Sequence, residues 1–330
     1  MIKKSVIFIM LLFVMVSSSL AVTFTEQDVL GEWHIYEMDV SPALGPYWFY
    51  ADAIVASTTD ITGSIALPDG SSQIIESGMV SISPDGSLTA SFTTDTGLTG
   101  TVVDGLLDQN KSIYSYVSAD TQNALGVGVG IKAGGQYQQS NMAGDWRFFG
   151  ISSDPTFPGL YWIEGEGSVD ASGNIISGKY RGPDGQEINT TSGLLSIAPK
   201  GKLTGSRVLD NGLSLQINDG MLDVLKTFLA FVNLDSNGGL GFNIGFKKGA
   251  NYLPSDLKGD WKVYNFQIDT VNGVAYWVYG DGNVDSNGTL TGSYIGPDSS
   301  RVKFLPIGRA LKADLRLRLP AIHRSRFWVE

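Results

Sequence analysis

The stretch Leu30-Gly31-Glu32-Trp33 decides how this chain of 330 residues is organised, because its pattern returns twice. It recurs as Ala143-Gly144-Asp145-Trp146 and again as Lys258-Gly259-Asp260-Trp261. The glycines of successive copies are 113 and then 115 residues apart. A fixed period of this length indicates a tandem array of one structural module.

Other motifs keep the same spacing. Each copy carries a tyrosine-tryptophan pair, at Tyr47-Trp48, Tyr161-Trp162 and Tyr276-Trp277, and later a Pro-Asp turn, at Pro68-Asp69, Pro183-Asp184 and Pro297-Asp298. The repeats predict a division into residues 22–139, 140–254 and an incomplete third copy at 255–305. The chain after 305 matches neither earlier copy.

Within one copy the apolar residues alternate with small or polar ones, which is typical of half-buried strands. The segment 125–132 (LGVGVGIK) shows this most clearly. In the first copy we predict strands near 31–40, 47–57, 61–67, 72–83, 87–94, 97–107, 112–118 and 124–132. Eight consecutive strands with short connections favour an all-β, eight-stranded up-and-down barrel, which leaves no open sheet edge. A two-sheet β-sandwich is the alternative.

The Gly-x-Trp opening of an eight-stranded meander resembles the calycins, the lipocalin and avidin barrels. The resemblance covers each repeat in outline through these three or four residues, and the Thr-Asp-Tyr motif of lipocalins is absent. It implies that the tryptophan packs across one barrel end and that a ligand binds inside the barrel. We therefore assign structural roles to Gly31, Trp33, Gly144, Trp146, Gly259 and Trp261.

The first 21 residues have the pattern of a signal peptide. Lys3 and Lys4 precede an apolar run at 7–16, and small residues at 17–21 predict cleavage after Ala21. The run is shorter than the roughly 20 residues of a membrane span, so no transmembrane segment is expected after cleavage. We predict a protein exported to the periplasm, the cell surface or the exterior.

Composition limits the possible functions. The absence of cysteine excludes disulfides and thiolate sites, and a net charge of −10 argues against nucleic acid as a partner. The chain has two histidines, which are too few for a histidine-based zinc site. Neither histidine is placed near a serine nucleophile, so a Ser-His-Asp triad has no support. His34 is expected to face solvent, because Arg147 and Lys262 replace it in the other copies. We predict neither a cofactor nor a metal site, and we read the aspartate-rich loops at 170, 235 and 285 as turns.

The repeated aromatic residues are the strongest candidates for binding. Each Tyr-Trp pair is followed, four residues after the tryptophan, by a carboxylate that an even spacing places on the face of that tryptophan: Asp52, Glu166 and Asp281. These nine residues form the candidate ligand site. The sequence favours a non-catalytic binding or structural protein, whose partner is a small molecule or glycan held in the barrel interior or on an aromatic patch. A surface adhesive array and a carboxylate-based glycan-active enzyme are the alternatives.

The final 25 residues, 306–330, depart from the repeat. Six of the chain's nine arginines lie from Arg301 onward. Apolar residues at every second position from Leu311 to Leu319 alternate with Lys312, Asp314, Arg316 and Arg318, which is compatible with a natural capping strand. An abrupt change of composition inside a repeat is also what a frameshift or truncation produces, and we favour this second explanation.

Overall fold

A computed structural model describes residues 12–16, 22–155, 157–249, 257–269, 274–296 and 301–303. The described chain is almost entirely β structure, with two short 3₁₀ helices at Glu26–Asp28 and Gln139–Met142. None of its helices is long and apolar enough to cross a membrane. Two closed barrels and one smaller open sheet make up the architecture.

Strand β1 is Leu12–Val16. The first barrel, barrel 1, contains β2 Gly31–Ser41, β3 Gly45–Ser57, β4 Asp60–Ala66, β5 Ser72–Ile82, β6 Ser87–Thr94, β7 Thr99–Leu107, β8 Ile113–Asp120 and β9 Leu125–Lys132. Barrel 2 contains β10 Gly144–Asp154, β11 Phe157–Val169, β12 Ile175–Arg181, β13 Glu187–Ile197, β14 Lys202–Leu209, β15 Ser214–Leu222, β16 Phe228–Asp235 and β17 Leu240–Lys247. The third sheet contains β1 with β18 Gly259–Asp269, β19 Val274–Val284, β20 Leu290–Ile295 and β21 Arg301–Lys303.

Both barrels are antiparallel meanders, and in each the last strand pairs with the first. The all-β prediction of tandem eight-stranded up-and-down barrels is therefore confirmed, and the sandwich alternative is not what forms. The strands of barrel 1 fall within a few residues of their predicted positions. The alternation of apolar and polar residues gave the positions of the strands. Pairing of the last strand with the first removes the two edges that an open sheet would expose.

The Gly-x-Trp motif closes one end of each module. Its glycines have φ angles of 118°, 127° and 136°, a region that strains residues with a side chain. The three tryptophans are at most 5% exposed. Each indole N–H donates to the carbonyl four residues earlier, in Val29, Met142 and Leu257, at 2.8, 2.8 and 2.7 Å. The motif thus joins the first strand to the segment that covers the barrel end.

The third sheet repeats the first half of a barrel. Strand β18 pairs with β19 as β2 pairs with β3. Its other edge holds β1, with Met15 opposite Trp261, just as the closing strand of barrel 1 places Lys132 opposite Trp33. The segment predicted as the apolar part of a leader thus lies in the position of a closing strand. The anomalous tail at 306–330 lies outside the described residues.

Apolar side chains are buried in three places. Two clusters fill the barrels, and a third lies between the repeats. Strand β9 shows how the third cluster forms: Val127, Val129 and Ile131 point outward into it, whereas the intervening glycines point inward. The repeats therefore share a continuous core and are not independent domains joined by linkers.

The same pair of surfaces joins the repeats twice. Tyr36 and Trp48 of barrel 1 donate to the Asp219 carboxylate and the Asn233 carbonyl of barrel 2, at 2.7 and 3.0 Å. In the third sheet the equivalent residues are Tyr264 and Trp277. They donate to the Asp104 carboxylate and the Ser118 carbonyl of barrel 1, both at 2.9 Å. Barrel 1 therefore lies between the third sheet and barrel 2.

Candidate functional site

The interiors of the two barrels differ in free volume. Barrel 1 encloses a cavity of about 390 Å³, whereas the interior of barrel 2 leaves about 50 Å³. Small-molecule sites commonly measure about 300–1,000 Å³. Only the first of these two interiors has that size, so barrel 1 carries the candidate functional site.

Bulkier side chains explain why barrel 2 is filled. Phe148 stands where barrel 1 has Ile35, and Tyr180 stands where barrel 1 has Ile65. The Arg207 guanidinium stacks over the Tyr180 ring, 5.1 Å from its centre. These groups converge in the space that remains open in barrel 1.

The cavity of barrel 1 is closed at one end and open at the other. At the closed end Trp33 lies beneath the segment that carries Val29 and Phe24, all three of them buried. At the opposite end the lining comes from connections between strands, including Leu44, which is 75% exposed. Leu240 of barrel 2 also lines the cavity. A ligand would enter past Leu44 and place its leading end towards Trp33.

The deep part of the cavity is apolar. Inward alternation on β3 to β8 supplies side chains that are all apolar or aromatic: Phe49, Ala51, Ala53, Val55, Ile61, Ile65, Ile75, Leu88, Ala90, Val102 and Tyr114. Burial of apolar ligand surface here would contribute about 25 cal/mol for each Å² removed from water. This part of the site suits a hydrocarbon or a ring system.

Two acidic residues lie between the apolar part and the mouth. Glu37 and Asp39 follow Trp33 and Ile35 on the inward face of β2 and are 3% and 6% exposed. The Tyr116 hydroxyl donates to Glu37 Oε2 at 2.5 Å, and the Ser118 hydroxyl donates to Glu37 Oε1. The two carboxyl groups are also hydrogen-bonded to each other, which requires a proton between them.

Burial is the main reason that the pKa values of both carboxyl groups are raised. Burial raises the pKa of Asp39 well above its ordinary value, and the adjacent Glu37 charge raises it further. Burial also raises the pKa of Glu37, while hydrogen bonds from Ser118, Tyr116 and Asp39 act in the opposite direction. Because Glu37 accepts the hydrogen bonds of both hydroxyls, it is the member of the pair that ionises first, while Asp39 keeps its proton.

Glycines on the neighbouring strand make room for these carboxyl groups. In the register of β2 with β9, Gly126 lies opposite Asp39 and Gly128 lies opposite Glu37. A Cβ added at Gly126 would overlap the Asp39 and Glu37 carboxyl oxygens and the Ser118 hydroxyl. The glycines of the segment 125–132 therefore face the polar end of the cavity and leave room for its carboxyl groups.

The sequence-predicted Tyr-Trp-acid residues are divided between two surfaces. In barrel 1, Tyr47 lines the cavity and is hydrogen-bonded to Asp39. Trp48 and Asp52 share the outer face, as their spacing predicted, and both contact barrel 2. Asp52 lies 2.9 Å from Lys202 Nζ and 2.5 Å from His34 Nδ1. Burial raises the pKa of Asp52, but these two partners outweigh it and lower that pKa to about 2.

His34 differs from its expected exposure. Its side chain points out of the barrel, yet it is only 12% exposed, because it pairs with Asp52 beside the covering barrel 2. Single-strand alternation distinguishes inside from outside but does not show which outer faces another repeat covers.

In the other repeats the three residues of the Tyr-Trp-acid pattern do not form a common pocket. Trp277 is buried against barrel 1, whereas Trp162 is half-buried. Burial raises the pKa of Tyr161 to about 12, and Tyr276 is half-buried. Glu166 forms an ion pair of 2.6 Å with Lys248, and Asp281 forms one of 3.0 Å with Lys262.

Glu37 and Asp39 are not among the site residues predicted from the sequence. Their signal was present: two acids at even spacing on the face of Trp33, where neighbouring residues alternate apolar and polar. The repeat offered a second signal, since the equivalent positions hold Gly150 and Ser152 in the second copy. A departure from the repeat at an inward position marked the site.

No protein-family model and no curated protein matches the sequence. Three solved structures show a distant likeness. One is a protein of unknown function of the DUF3598 family from Nostoc punctiforme, 13% identical, with a TM-score of 0.26, covering 68% of this chain and 97% of its own. Kievitone hydratase from Nectria haematococca is 8% identical, with a TM-score of 0.27 and coverages of 70% and 95%. A tryptophan-to-alanine mutant of transferrin binding protein B from Haemophilus parasuis is 9% identical, with a TM-score of 0.29 and coverages of 68% and 76%. At these TM-scores the likenesses carry no argument about activity.

Proposed function

We propose that this chain is an exported binding protein and that barrel 1 holds a small, mainly apolar ligand. The observation that carries the proposal is the difference between the two barrels, a cavity of about 390 Å³ in one and a filled interior in the other. A packed core needs no such space, and a well-packed interior holds few voids larger than a water molecule. The cavity therefore serves a ligand better than it serves stability.

Its chemistry suits an amphiphilic ligand. The apolar residues near Trp33 would surround the body of the ligand, and Glu37, Asp39 and Tyr47 would contact its polar end near the mouth. This mode of binding agrees with the calycin resemblance of the Gly-x-Trp opening. We therefore prefer the barrel interior to an exposed aromatic patch, because barrel 2 covers Trp48 and barrel 1 covers Trp277.

Binding is also preferred to glycan hydrolysis. A general acid must hold a proton at working pH. Glu166, the carboxylate considered for that role, has its pKa lowered by a hydrogen bond from Lys248. It would be ionised at neutral pH and unable to act as the acid.

The continuous core between the repeats supports a structural role as a second candidate. In that case function depends on the number of repeats. Equal surface attachment by one barrel and by the whole chain would contradict this alternative.

Native mass spectrometry of the purified full chain tests the binding proposal. We expect a co-purified molecule, released on denaturation, or stoichiometric uptake of an apolar fluorescent probe that quenches on displacement by alcohols. The absence of both would contradict it. The Ile35→Phe variant, which copies the residue of barrel 2, serves as the matched negative control.

A further inference from the structure

The charge of the cavity in barrel 1 is one-sided. Four acidic residues line it, Glu37, Asp39, Asp69 and Asp120. Among the lining residues, all within the described part of the chain, none is lysine, arginine or histidine. The buried acids thus have hydroxyl partners but no cation to balance their charge.

Barrel 2 shows that this charge is not required to build the barrel. At the positions of Glu37 and Asp39 it has Gly150 and Ser152, and it closes with the same strand order. Its polar interior pair is neutral, with the Asn243 amide donating to Asn233 Oδ1 at 2.6 Å. The two acidic residues that line the small space in barrel 2, Glu164 and Glu166, form ion pairs with Arg147, Arg181 and Lys248. Barrel 1 therefore differs from barrel 2 in combining open volume with buried acids that have no cation among the lining residues.

Burying a carboxylate without a cation is unfavourable, because the low-polarity surroundings replace water poorly. Hydroxyl donors at Glu37 reduce that cost but leave the net charge. A ligand that brings a positive charge next to Glu37 and Asp39 would balance their negative charge. The apolar residues deeper in the cavity would then hold the rest of the molecule.

We infer that the ligand of barrel 1 is an amphiphilic cation, a molecule with an apolar body and one protonated amine, whose ammonium group lies against Glu37 and Asp39. This inference rests on the proposed function, since it assigns a ligand class to the same cavity. An anionic amphiphile such as a fatty acid would place like charges together. A neutral one would leave the carboxylate charge without a partner.

Three probes that share one alkyl tail separate these cases: octylammonium, octanol and octanoate, each below its micelle concentration. Isothermal titration calorimetry with the full chain at neutral pH measures the affinity of each. We expect octylammonium to bind at least about tenfold more tightly than octanol, because a hydrogen bond to a charged group is worth that much or more. Octanoate should bind most weakly.

The double variant Glu37→Gln, Asp39→Asn keeps side-chain size and removes the charge. It should lose the preference for octylammonium over octanol, and a circular dichroism spectrum and melting curve like those of the natural chain show that the barrel is folded. Asp184→Asn, at the equivalent exposed turn of barrel 2 and away from the cavity, is the matched control and should keep the preference.

The outcomes distinguish the class of ligand from the existence of the binding site. If octanol binds but octylammonium shows no advantage, or if the double variant keeps the advantage, the cationic ligand class is wrong and the cavity remains a binding site. If none of the three probes binds the folded natural chain, the proposed function itself fails.

Discussion

The Tyr36 hydroxyl of barrel 1 donates a 2.7 Å hydrogen bond to Asp219 of barrel 2, across 183 residues of sequence. Both side chains are buried, and Lys202 Nζ lies 3.3 Å from the same carboxylate. The contact joins β2 of barrel 1 to β15 of barrel 2. Its counterpart, Tyr264 with Asp104, joins the third sheet to barrel 1 in the same way.

Replacing Tyr36 by phenylalanine should weaken the contact between the barrels. The change removes the hydroxyl that donates a hydrogen bond to the buried Asp219 carboxylate, and losing such a donor typically costs about 1–3 kcal/mol. Urea denaturation followed by tryptophan fluorescence measures the free energy of unfolding. Tyr264→Phe is the matched variant at the second contact and should also destabilise. No change in either variant would show that the shared apolar core alone holds the repeats together.

Filling the cavity should abolish binding without unfolding the protein. Ile35→Phe introduces the residue that barrel 2 carries as Phe148, inside an otherwise open space. We expect affinity for an apolar probe to fall at least about tenfold, with the melting temperature unchanged or raised.

The reverse exchange is the control. Phe148→Ile removes a ring from the packed interior of barrel 2 and should destabilise that barrel by about 1–3 kcal/mol through loss of buried contacts. Unchanged binding in Ile35→Phe would place the ligand site outside barrel 1.

The acid pair should make stability depend on pH. The pKa of Asp39 is raised in the folded protein from its ordinary 3.8, so the folded state holds the proton more firmly than the unfolded state. The resulting stability is fully present below about pH 4 and is lost as the pH rises through the raised pKa. The loss amounts to about 1.4 kcal/mol for each pH unit over which only the folded state keeps the proton.

Urea denaturation at a series of pH values checks this dependence. Glu37→Gln, Asp39→Asn should flatten the curve above pH 4. Tyr47, Tyr116 and Asp120 also act on the pair, but the tyrosine hydroxyls stay protonated in this range, since burial raises the pKa of both. An identical slope in the natural chain and the variant would assign the dependence to other groups.

Removal of the Trp33 indole should loosen the closed end of barrel 1. Trp33→Phe deletes the hydrogen bond to the Val29 carbonyl and leaves that group without its donor, at a cost of about 1–3 kcal/mol. Trp146→Phe is the matched change in barrel 2. Hydrogen exchange should show faster opening of the segment around Val29 in the first variant and of that around Met142 in the second.

Expression with a secretory host tests the leader. We expect the exported protein to begin at Val22, as measured by intact mass, and both barrels to be retained, since β1 pairs only with β18 in the described structure. An exported protein that still contains Met1 would contradict the predicted cleavage and leave β1 as a permanent strand of the third sheet.

The repeat, the positions of the strands and the closed barrel end could all be predicted from the order of the amino acids. Gly31 and Trp33 recur because a positive φ and a large buried ring are required at the same point of each module. Period-two alternation located the strands because each half-buried strand carries its pattern locally.

Which barrel is hollow and which outer faces are covered could not be predicted in this way, because both depend on packing between distant parts of the chain. Free volume depends on side chains that meet from strands far apart in sequence, such as Phe148 with Phe231 in barrel 2, whose rings lie 6.2 Å apart. The same limit applies to Trp48 and Glu37. Alternation assigns each to one face of a strand, but packing with another repeat buries the first in an interface, and barrel closure brings the second together with Tyr116 and Asp39.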